Sequence, residues 1–175
     1  MNEIERILNS TLKPKEKTDK LVEILKNKTI TTEDLIHFAM KSKDPTKAGC
    51  IEAIEYVTQS FPSIITEKQL IWIIDQLTAK PPRIKWESAK VIANTISLYP
   101  QLTSIAVEHL LSNTKHAGTV VRWSAATALS RIAVSESTTR PDMPNLIAAL
   151  AENEEKSSIK KIYQLALQNI KNKTV

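Results

Sequence analysis

Apolar residues in this chain recur at helical spacing and then again at a longer period. In 84–96, IKWESAKVIANTI, the apolar and small positions fall three and four apart, and a near copy stands at 121–133 as VRWSAATALSRIA. That spacing places them on one face of an α-helix. Weaker copies are TKAGCIEAIEYVT at 46–58 and IKKIYQLALQNI at 159–170. The basic residue near the start of each copy, Lys47, Lys85, Arg122 and Lys160, recurs at steps of 38, 37 and 38. So regular a period predicts stacked helical units sharing one continuous seam.

Taking the basic residue as position zero, positions −1, +3, +6, +7 and +10 share a helical face. They hold Thr46, Cys50, Ala53, Ile54 and Val57 in the first copy and Ile84, Ser88, Val91, Ile92 and Thr95 in the second. The third has Val121, Ala125, Ala128, Leu129 and Ile132, and the fourth Ile159, Tyr163, Ala166, Leu167 and Ile170. Mostly small residues at +3 and +6 let neighbouring helices approach, and the large +7 residues Ile54, Ile92, Leu129 and Leu167 are expected to fill the seam.

Each copy is preceded by an outer helix and a marked turn. Thr31 and Thr32 with Glu33 and Asp34 open a helix that Asp44-Pro45 ends, and Thr66 with Gln69 has capping-box spacing. Pro81-Pro82 force the turn into Ile84, and Tyr99-Pro100 repeats Phe61-Pro62 at a distance of 38. Residues 1–31 read as an irregular amino-terminal cap, with helices at 2–10 and from Pro14. Four pairs follow at about 32–60, 61–98, 99–135 and 136–170, the last after the connector SESTT, and 171–175 are expected to fray. The fold class expected is all-α.

Composition narrows the class without naming a task. With 42% apolar residues, 25% charged and two glycines, the chain suits an ordinary helical protein. The start, MNEIERILNS, lacks a basic end followed by an apolar run, and no stretch approaches the roughly 20 apolar residues of a membrane span, so a cytoplasmic protein is expected. Cys50 is the sole cysteine, which rules out an intrachain disulfide and points to packing.

The pattern (V/I)-(R/K)-W-x-x-A at 84–89 and 121–126, with proline-marked turns, resembles the HEAT repeat family over about residues 32–170. The period is somewhat shorter than the roughly 40 to 47 of HEAT and armadillo units, and the acidic residue typical before the basic one is recognisable only at Asp44. The resemblance implies a right-handed α-α superhelix of about five antiparallel helix pairs. It further implies that the second helix of each pair lines a concave binding surface, and that the shared basic residue binds the turn or the adjacent unit.

No metal set, phosphate loop or nucleophile elbow stands out, so neither a cofactor nor enzyme activity is expected; His37, His109 and His116 are scattered. Position +1 holds Trp86 and Trp123, either packed between inner helices or exposed as a recognition platform. Residues 80–131 carry a local excess of five positive charges, equal to the net charge of the whole chain. Trp86, Trp123, Lys85, Lys90, Arg122 and Arg131 therefore form the expected concave, basic strip. A noncatalytic scaffold for an acidic peptide or protein segment is the first functional expectation. Nucleic acid, with cations on phosphates and tryptophans on bases, is the alternative. A third is a DNA-alkylation-repair glycosylase of HEAT-like build, for which Trp72 and Asp75 are the nearest aromatic and carboxylate, though on a predicted outer helix.

Overall fold

Local signals set the helix starts. Thr31 and Thr66 each accept the N–H three residues on, from Asp34 and Gln69, whose side chains return to the cap N–H. Both are reciprocal capping boxes. Proline stands in the first turn of four other α-helices, beginning at Pro14, Asp44, Pro82 and Met143, where its missing N–H costs nothing.

A computed structural model describes residues 3–136 and 139–173, and among these every regular element is helical. The elements are α1 (Glu3–Leu8), α2 (Pro14–Lys26), α3 (Thr32–Met40), α4 (Asp44–Thr58), α5 (Glu67–Asp75) and α6 (Pro82–Thr95). Then come α7 (Thr103–Asn113), α8 (Thr119–Ser135), α9 (Met143–Asn153) and α10 (Ser157–Lys173). One-turn 3-10 helices follow the aromatic-proline markers, at Pro62–Ile64 and Pro100–Leu102. The final helix continues to Lys173, past the expected start of a frayed tail at 171. Asn2, residues 174–175 and, in the SESTT connector, Ser137 and Thr138 lie outside the described residues.

Odd-numbered helices pack on their even-numbered partners, and the even helices pack in chain order: α2 on α4, α4 on α6, α6 on α8 and α8 on α10. The buried face is the one the repeat pattern predicts. All the seam positions given above are buried except Thr46 and Leu167, which are half-buried. Leu167 is a correction, and its position explains it: α10 has α8 on one side and no helix beyond it among the described residues. Positions +4 and +8 tell the same story. Ile51, Ala89 and Ala126 at +4 are buried on helices that have a further even helix packed after them, whereas Gln164 and Gln168 on α10 are exposed.

Polar links join the even helices along one edge. Asn94 Nδ2 donates to the Glu55 carbonyl at 3.3 Å, Arg131 to Asn94 Oδ1 at 2.7 Å, and Lys173 Nζ to the Val134 carbonyl at 2.9 Å. Each link spans close to one repeat period, and together they hold consecutive helices in register.

Candidate functional site

Two of the six expected strip residues are committed to the framework. Lys85 Nζ donates to the Leu77 carbonyl at 2.8 Å and to Asn113 Oδ1 at 3.1 Å, and burial lowers its pKa below the ordinary 10.5. Arg122 donates to the His116 and Ala117 carbonyls, at 3.0 and 3.2 Å, and lies 3.3 Å from Glu154 Oε2. In these two units the basic residue ties down the turn before its helix and reaches a polar side chain of the next unit, Asn113 for Lys85 and Glu154 for Arg122.

Lys90 is neutralised as well. Its ammonium sits 2.8 Å from Glu87 Oε2 and 3.3 Å from Glu55 Oε2, two carboxylates almost wholly buried. Burial lowers the Lys90 pKa, the hydrogen bond and charge of Glu87 and then those of Glu55 raise it, and the balance is upward. Arg83 is similarly bound at 3.0 Å to Glu52. Glu52, Glu55 and Glu154 come from outside residues 80–131, so the charge excess counted along the chain does not form one connected anionic-ligand strip in space.

The tryptophans also part company. Trp86 is half-buried, and its indole N–H donates to Glu87 Oε1 at 2.8 Å. Trp123 is 43% exposed. It lines a groove of about 420 Å³ between α8 and α10, along with Arg131, Val134, Ile162, Leu165 and Lys173. Leu165, at 58% exposure, is among the most exposed large apolar residues of the described chain. The Ser130 hydroxyl, on the floor, has no hydrogen-bond partner among the described residues.

The groove is apolar along its length and cationic at one end. Because Lys173 meets Val134 at the ends of the two helices while Ile162 and Trp123 line the earlier part, α8 and α10 run in the same direction. Arg131 and Lys173 stand at the carboxyl ends of both helices, bonded to uncharged oxygens. Their charges are therefore available where those of Lys90 and Arg122 are not. Sequence reasoning missed Leu165, Ile162 and Lys173. A signal existed: position +5 holds Glu52, Lys90 and Thr127 in the other units, so leucine there is out of pattern.

Other candidates lie apart from the groove. Trp72 and Asp75 are on α5, one half-buried and the other exposed. Among the described residues no three His, Cys, Asp or Glu side chains are grouped to hold a metal ion, and no helix is long and apolar enough to cross a membrane. Cys50 is fully buried, and desolvation pushes its thiol up to about 12.

No family model and no curated protein matches the chain. Solved structures do: crystal structures of two engineered proteins from the Northeast Structural Genomics Consortium are similar across almost all of both molecules. One has a TM-score of 0.60 at 17% identity, covering 98% of each chain. The other has a TM-score of 0.63 at 18% identity, covering 98% of this chain and 100% of its own. At such identity the likeness concerns the fold alone.

Proposed function

We propose that the chain is a noncatalytic, HEAT-like scaffold whose pairs stack as a right-handed α-α superhelix and whose even-numbered helices bind an acidic segment of another protein on the concave side. The observation that carries this reading is the groove of Trp123 and Leu165 ending at Arg131 and Lys173. Exposed tryptophan beside cations bonded, among the described residues, only to uncharged oxygens suits a ligand combining apolar side chains with carboxylates. A cytoplasmic setting goes with the reading, in which the lone Cys50 stays a reduced packing residue.

Nucleic acid fits the surface less well, since Lys90, Arg83 and Arg122 are already paired with carboxylates. Fluorescence anisotropy with a labelled acidic, leucine-containing peptide and a labelled single-stranded oligonucleotide, across about 50 to 200 mM salt, tests the choice. The peptide should bind, keep most of its affinity at the higher salt and lose it in Trp123→Ala. Binding of the oligonucleotide alone, falling log-linearly with salt, would overturn the proposal.

A further inference from the structure

We infer that the groove between α8 and α10 receives an amphipathic α-helix of a partner protein, antiparallel to both, with an acidic first turn against Arg131 and Lys173 and apolar residues along Trp123 and Leu165. The inference rests on the protein-binding reading above and names its ligand.

Three features of the groove select a helix in that orientation. Both walls are α-helices whose interior backbone N–H and C=O groups are already paired, so an extended peptide would find no ladder for its own amides. A helix satisfies its backbone internally and presents only side chains. The length also fits, because Trp123 to Val134 spans eleven residues of α8, about 16 Å, or three turns of a ligand helix.

Orientation follows from charge. Arg131 lies eight residues beyond Trp123, about 12 Å along the axis, so the cations meet only one end of the ligand. That end of the groove also carries the partially negative carboxyl termini of α8 and α10. A ligand's positively polarised amino terminus belongs there, and acids in its first turn would both stabilise the ligand helix and meet the guanidinium and ammonium. The apolar residues that follow, at spacings of three and four, then lie over Ile162, Leu165 and Trp123.

A display library of random peptides of about 16 residues, enough to fill the groove and leave ends free, should be selected against the whole chain. The expected winners carry acids followed by apolar residues at helical spacing. They should gain helical circular dichroism on binding and lose about tenfold or more in affinity for Leu165→Glu and for Arg131→Ala/Lys173→Ala. Leu165 is exposed enough that Glu leaves the fold intact, which the circular dichroism of the free variant checks. Winners that bind extended, carry acids at the opposite end or ignore Leu165→Glu overturn the inference. If they respond instead to Trp86→Ala on α6 or to Tyr56→Ala, an exposed aromatic on α4, the protein-binding reading survives and only the groove is lost. A library yielding no binder to any even helix sinks both. Sedimentation of the free chain covers the last occupant, for a dimer abolished by Leu165→Glu would assign the groove to a second copy.

Discussion

Lys90 on α6 lies 3.3 Å from Glu55 on α4, so one lysine joins two units while also holding Glu87 on its own helix. Removing the ammonium leaves two buried carboxylates facing each other. Lys90→Met should cost about 3 to 5 kcal/mol, and adding Glu87→Gln should restore part of it, as read from urea unfolding. Because the folded Lys90 pKa is raised above 10.5, its stabilisation is whole below that pH and fades as pH climbs through the folded value. The gap between wild type and Lys90→Met should therefore be constant from neutral pH upward and narrow only under strongly alkaline conditions. A gap that narrows already near pH 8 would assign the effect to another group.

The seam makes a graded prediction. Leu129 is fully buried between units and Leu167, its equivalent, is half-buried at the edge of α10. Leu129→Ala should cost about 2 to 5 kcal/mol through the cavity it leaves, and Leu167→Ala clearly less. Equal losses in denaturant titrations would contradict the difference in packing.

The repeat was legible because packing acts on one helix face at a time, and a face leaves a period in the sequence. Capping by Thr31 and Thr66 and the proline starts were legible for the same reason, being local. The candidate site was not, because its outcome depends on pairs separated by nearly one unit: Glu52 with Arg83, Glu55 with Lys90, Arg122 with Glu154. Summing charges along a segment cannot register acids that arrive from neighbouring units. Trp86 and Trp123 occupy equivalent positions, yet the glutamate after Trp86 engages its indole while the serine after Trp123 turns to the Val121 carbonyl instead.

Cys50 offers a test of the seam that leaves side-chain volume unchanged. With its thiol fully buried and pushed up to about 12, alkylation by iodoacetamide at neutral pH should occur only when the chain opens. Labelling should therefore speed up with urea in step with loss of helix, whereas prompt native-state labelling would show an accessible thiolate.

Lys28 carries a cost that the sequence did not reveal. It ends α2 at φ 58°, with its N–H donating to the Leu25 carbonyl and the Thr29 N–H to Ile24, a closure that favours glycine. Lys28→Gly should raise stability by about 0.5 to 1 kcal/mol, and an unchanged midpoint in thermal unfolding would count against the left-handed turn.

The groove belongs to a single interface, that of α10 with α8, and this couples occupancy to local opening. Whenever α9 and α10 lift away, one wall departs and the groove ceases to exist. A bound helix would then slow amide hydrogen exchange in α9 and α10 more than in α4 or α6, by a free energy that grows with ligand concentration relative to Kd. The occupant would act as a clasp on the carboxyl-terminal pair, and loss of that pair, with the rest still folded, would release it.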